Sequence, residues 1–224
     1  MDTAALPDRI ARNLAGIRRR MAEAAARAGR NAASVRLIAV TKSVGLAEIQ
    51  ALHEAGVTEM GENRVEVAVP KIAAGLKGLV WHMIGPLQTR KASEVVAAFS
   101  HFDAIDRIRA AEALQSRCEE QDRTMRVLVE VNVSGEASKH GFEPDDLPRV
   151  LADLRSFDRL RLDGLMTMAP YGAEDPFLRK CFRTLKQLAD TQGLAELSMG
   201  MTDDFEIAIE EGATQVRVGR ALFQ

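Results

Sequence analysis

A chain of 224 residues, 46% of them hydrophobic, carries enough apolar material for one large domain or two small ones. Its 30 basic and 32 acidic residues leave a formal charge of -2, which gives no electrostatic reason to expect nucleic acid or an anionic membrane as a partner. Two cysteines, Cys118 and Cys181, are too few for a disulfide framework, and the segment from Met1 to Arg20 carries arginines in place of an apolar leader, so a cytoplasmic protein is expected.

The pattern predicts a helix over 10–30, where Ile10, Leu14, Ile17 and Met21 recur at helical spacing and Gly29 offers a stop. From there strands and helices alternate. Strands are predicted over 35–41, 57–60, 79–84, 101–105, 126–133, 160–166, 196–199 and 215–218. A helix with Leu46, Ile49 and Leu52 on one face and Gly56 as its stop follows the first strand. Further helices are predicted over 63–74, 89–98, 108–120, 144–154, 176–190 and 204–211. Apolar runs without strict alternation suit parallel strands covered on both faces. Eight such units, with no Gly-rich turn after the first strand, favour a (β/α)8 TIM barrel with an extra N-terminal helix, built as a single domain over 1–224.

In such a barrel, reactive residues belong at the C-terminal ends of the strands. Polar residues do gather there: Thr41-Lys42, Gly61-Glu62-Asn63, Asn132, Met166-Thr167, the run from Ser198 to Thr202, and Arg217 to Arg220. Lys42 shares a strand face with Ile38 and Val40. If that face looks into the barrel, partial desolvation would leave a nucleophilic amine able to condense with a carbonyl. The alternative is a strand-end lysine that reaches solvent or pairs with Glu62. Gly200 and Gly219 follow the last two strands, where barrels often bind phosphate, and Thr202 precedes a helix start. Ordinary turn glycines with Thr202 as an N-cap would read the same way. Arg217 is flanked by apolar residues, so it either pairs with an interior acid such as Glu130 or donates to a ligand. His82 reads as a core histidine. Met166, Met168, Met199 and Met201 read as site-lining packing, and the four histidines form no metal cluster.

Ala39-Val40-Thr41-Lys42, Gly61-Glu62-Asn63, the run from Trp81 to Gln88, the run from Ser198 to Asp204 and the run from Val216 to Phe223 together resemble the pyridoxal phosphate homeostasis protein family, in order and over almost the whole chain. The fold of that family is similar to the barrel domain of alanine racemase. The resemblance implies pyridoxal 5'-phosphate as cofactor, held as a Schiff base on Lys42. Arg217 would donate to the pyridine nitrogen. Thr202, Gly219 and Arg220 would hold the phosphate with Ser198 and Met201, and Asn63 and Met166 would lie beside the ring. This sequence departs from the family at Val44, often a second lysine, at Arg90, usually asparagine, and at Thr202, commonly serine.

The implied role is storage, buffering or delivery of the cofactor, with recipient apo-enzymes as transient partners, no strong catalysis and a monomeric state. Racemisation needs a proton acceptor on each face of the cofactor, and Tyr171, the one tyrosine, is a poor second base. An arginine at the ring nitrogen also weakens the ring as an electron sink. The rivals are a weak pyridoxal phosphate-dependent racemase or decarboxylase, and a cofactor-free Schiff-base aldolase acting on a phosphosugar.

Overall fold

The computed structural model describes residues 5–136 and 139–224. Eight parallel strands close into a barrel in chain order: β1 (Arg36–Val40), β2 (Glu59–Glu62), β3 (Val80–Met83), β4 (His101–Ile105), β5 (Met125–Glu130), β6 (Leu160–Met166), β7 (Glu196–Ser198) and β8 (Gln215–Val218). β8 returns to β1 with Ile38 opposite Arg217 and Ala39 opposite Val218. A helix follows each strand: α2 (Leu46–Glu54), α3 (Val65–Ala73), α4 (Ala92–Ala98), α5 (Ile108–Glu120), α6 (Leu147–Leu154), α7 (Asp175–Gln192), α8 (Phe205–Glu210) and α9 (Arg220–Phe223). The additional helix α1 (Ala5–Arg27) precedes β1, so the expected (β/α)8 barrel with an N-terminal helix is what the chain forms.

α1 buries Ile10, Leu14, Ile17, Met21, Ala24 and Ala25 along one stripe, and Gly29 leaves it at a positive φ of 66°. Its arginines have a structural use. Arg20 makes a two-pronged contact with Glu206 at 3.0 and 2.8 Å, and Arg27 reaches Glu210 at 2.6 Å. Just beyond the helix, Arg30 donates to the carbonyls of Ile209 and Ala213. These contacts tie α1 to α8, which starts directly behind the loop carrying Thr202.

The strands are two-faced, which corrects the expectation of apolar cover on both sides. Outward residues such as Ala39, Met60, Trp81, Phe102, Val127, Leu197 and Val216 form the core beneath the helices. The alternate positions, on the inner face, carry charge and polarity. His82 meets Asp103 at 2.8 Å and Glu59 at 3.2 Å and stacks on His101 with ring centroids 4.2 Å apart, while Arg36 meets Glu196 at 2.7 Å. Arg126 pairs with Asp163. A filled polar interior of this kind holds only because nearly every group finds a partner.

Several boundaries move from their predicted positions. β2 runs Glu59–Glu62 rather than over 57–60, because Gly61 lies inside the barrel where a Cβ would stand 3.0 Å from Ile38, and Glu62 turns outward onto a helix. The segments over 89–98 and 144–154 each begin with a single 3-10 turn before the α-helix. α9 was not anticipated, since four residues carry too little periodicity to show.

Candidate functional site

The C-terminal mouth collects the predicted residues from opposite ends of the sequence. β8 lies beside β1, so Arg217 is level with Ile38, and Lys42 follows two residues beyond the end of β1. Gly219 is the contact that permits this closeness: a Cβ there would stand 3.3 Å from the Val40 carbonyl.

Lys42 is exposed, which overturns the expectation of a partly desolvated amine. Among the described residues its ammonium makes no hydrogen bond or ion pair. Pairing with Glu62 is also ruled out by geometry, because the period-two alternation turns Thr41 and Glu62 away from the lumen. Both are buried, and Lys71 of α3 donates to the Thr41 carbonyl and to Glu62 Oε1, each at 2.7 Å. The Thr41 hydroxyl donates to the same carboxylate oxygen at 2.7 Å. Residue 41 is thus clamped from behind, and Lys42 beside it is left free to reach over the mouth. Sequence reading missed this clamp, because a lysine on a helix normally reads as solvated. The signal was present in Thr41 and Glu62, two polar residues at outward strand positions.

Arg217 is 4% exposed and does not pair with Glu130. Its Nη1 donates to Ser198 Oγ at 2.8 Å and its Nη2 to the Thr167 carbonyl at 2.9 Å. Burial lowers its pKa, and the fields of Asp103, Glu130 and Asp204 partly oppose that effect. No carboxylate among the described residues lies within ion-pairing distance, so this guanidinium is fixed by two neutral acceptors with donors to spare. Glu130, at the end of β5 and in register with Met166, is pushed up in pKa by burial and by Asp106. Asn63 is half-buried at the end of β2, and its backbone is held by Gly85, where a Cβ would stand 2.4 Å from the Asn63 carbonyl oxygen.

The loop after β7 turns on Gly200, whose φ is +90° and whose added Cβ would stand 2.5 Å from that of Ala208. The turn is closed by Asp204, whose buried carboxylate accepts from the Met201 N–H and is itself pushed up in pKa by burial. The backbone N–H groups of Thr202 and Asp203 in this loop, and of Arg220 and Ala221 at the start of α9, have no acceptor among the described residues. The Arg220 side chain crosses to Asp203 at 2.6 Å, which ties the two loops together. Free amides on two glycine-bearing loops, with the Thr202 hydroxyl beside them, suit an anion such as a phosphate. Ser198, Met201, Thr202, Arg217, Gly219 and Arg220 therefore converge on one side of the mouth. Met166 belongs to its wall and Met199 to the outer core. Tyr171 is 81% exposed on the loop after β6.

Comparison with known proteins adds three findings. The family model described as "Alanine racemase, N-terminal domain" matches residues 8–224. The chain is similar to proteins named "Pyridoxal phosphate homeostasis protein", with 42% identity to that of Pseudomonas aeruginosa over 218 residues, covering 96% of this chain and 94% of the relative. The protein of that name from Deinococcus radiodurans is 43% identical over 211 residues, covering 94% and 97%. Among solved structures, PipY of Synechococcus elongatus with pyridoxal phosphate bound superposes with a TM-score of 0.84 at 33% identity, covering 96% of this chain and all of that one. Alanine racemase of Clostridium difficile matches at TM-score 0.72 and 14% identity over 84% of this chain and 52% of its own, a likeness of fold alone. No helix among the described residues is long and apolar enough to cross a membrane.

Proposed function

The chain belongs to the pyridoxal phosphate homeostasis protein family, and we propose that it holds pyridoxal 5'-phosphate on Lys42 for storage, buffering or delivery inside the cell. The observation that carries the reading is the pairing of an unengaged, exposed amine with a buried guanidinium and an anion cradle around one mouth. When bound, the cofactor supplies an aldehyde that condenses reversibly with amines, releasing water.

The residues fit that group by their donor chemistry. Lys42 supplies the amine. The Thr202 and Gly219 loops, with Arg220 and Ser198, supply donors and close backbone approach for the phosphate, while Met201, its N–H held by Asp204, lines the same loop. Arg217 carries only hydrogens, so it can donate to a ring nitrogen but cannot protonate it, because a guanidinium does not give up its proton in a protein. A nitrogen held in that state makes the ring a poor sink for electrons, which favours carriage over catalysis. Asn63 and Met166 flank the ring. Lys42 is exposed, so an incoming amine meets no barrier of buried side chains around it. Recipient apo-enzymes acting through their own lysines are the partners this openness suits, and one barrel acting as a monomer is sufficient for it.

The test is the visible absorbance of the protein and of Lys42→Ala, each titrated with pyridoxal phosphate. A yellow band that saturates in the parent and is missing in the variant is the expected result. A parent that forms no band with excess cofactor overturns the proposal.

A further inference from the structure

The face of α3 that packs on the barrel buries Val65, Ala68 and Lys71, so an ammonium stands where the helical stripe calls for an apolar side chain. A buried ion pair is a weak source of stability, because replacing it by apolar side chains of similar volume is often neutral or stabilising. Here the pair is also incomplete: Glu62 Oε2 is buried and has no hydrogen-bond partner among the described residues. Stability alone therefore gives no account of Lys71. Its second contact does. Besides Glu62, the ammonium donates at 2.7 Å to the carbonyl of Thr41, the residue directly before Lys42.

The same carbonyl accepts the Val44 N–H at 3.1 Å, which closes a turn over 41–44 with Lys42 at its first corner. Both of its lone pairs are thus used, one inside the turn and one by Lys71. Little else holds the turn. Lys42 and Ser43 are exposed, and the Lys42 side chain makes no hydrogen bond or ion pair among the described residues. The end of β2 has separate support, with the Ile84 N–H on the Glu62 carbonyl at 2.8 Å and Gly85 packed on Asn63. We propose that Lys71 is a positioning residue for Lys42: by pinning the Thr41 carbonyl it fixes the turn from which the Lys42 side chain departs. A lysine on a mobile turn would lose backbone freedom each time it captured an aldehyde, and the pin removes that cost in advance. Lys71 does this from behind β1 and β2, on the side away from the lumen, without touching the ligand.

The assignment rests on the reading of Lys42 as the amine that holds the cofactor, and a double variant separates positioning from folding. Lys71→Met with Glu62→Leu removes both charges, so neither is stranded in the interior. Its affinity for pyridoxal phosphate, read from the absorbance band, should fall at least about tenfold. Pyridoxine phosphate has the ring and the phosphate without the aldehyde, and by calorimetry it should bind within about twofold of the parent. A general loosening of the mouth would weaken both ligands alike. Ligand-free protein gives a second readout. Hydrogen exchange at the Val44 amide should quicken at least about tenfold in the double variant, while the Arg217 amide, bonded to the Gly200 carbonyl, changes far less. In the parent the Val44 amide should be protected although the turn around it is exposed, a readout that needs no variant. Unchanged pyridoxal phosphate affinity, equal losses for the two ligands, or ready exchange at Val44 in the parent overturns the assignment. A parent that forms no band overturns the cofactor reading instead, and the exchange rates still decide whether Lys71 fixes the turn.

Discussion

His82 should hold a proton inside the barrel well into alkaline pH, and stability should report it. Burial alone would pull the imidazole down, but Asp103 at 2.8 Å and Glu59 at 3.2 Å outweigh it and raise the group from 6.5 to about 9. Its stacked neighbour His101 goes the other way, to about 4, through its own burial and the His82 charge. In the unfolded chain His82 returns to its ordinary value, so the folded state binds this proton more tightly. The stabilisation is therefore complete below about pH 6.5 and is lost as pH rises through about 9. Linkage sets it at about 2–3 kcal/mol near pH 7, with almost none left at about pH 10. Urea unfolding at the two pH values, followed by the fluorescence of Trp81, the one tryptophan, measures the loss. His82→Gln should remove that part of the pH dependence while lowering stability at pH 7, because it strands two carboxylates. NMR titration of the imidazole in the parent provides a readout that needs no variant. A midpoint below about 7, or parent and variant curves that run parallel between pH 7 and 10, would refute the reasoning.

Other perturbations have equally definite outcomes. Lys71→Met leaves the buried Glu62 carboxylate without its cation and should cost about 3–5 kcal/mol by urea unfolding, whereas Lys71→Met with Glu62→Leu should recover most of it. A single variant as stable as the parent would mean the clamp is not an ion pair. Gly200→Ala forces a side chain onto a φ of +90° with Ala208 2.5 Å away, so affinity for pyridoxal phosphate should fall at least about tenfold in an absorbance titration. Unchanged affinity would detach that loop from phosphate binding. Gly164→Ala would place a Cβ 1.9 Å from the Glu196 carbonyl oxygen across the β6–β7 pair, and should destabilise by at least about 2 kcal/mol by the same unfolding assay.

The alternation of eight strands and helices was legible in the sequence because each unit buries one outward apolar stripe, and those stripes set the periodicity. The clustering of Ser198, Thr202, Arg217 and Gly219 followed from strand-end position once the barrel was assumed. Three features were out of reach of local pattern. Glu59, His82 and Asp103 lie on successive strands, and only closure of the sheet shows that they are partners. Lys71 becomes buried because Glu62 faces it across a helix–strand interface, which no helical periodicity encodes. The exposure of Lys42 depends on where β1 stops, and the chain leaves the strand at Val40, two residues before the lysine.

The seam between β1 and β8 joins residues made early in synthesis to residues made late. Lys42 leaves the ribosome long before Arg217 and Gly219, so a partly made chain carries the Lys42 amine with neither its guanidinium neighbour nor the glycine loop after β8. Any ligand gripped by both sides of that seam acts as a latch on the finished ring of strands. It adds nothing to open intermediates and, by mass action, deepens only the closed state. Cofactor supply and folding yield would then rise together, with the same seam governing both.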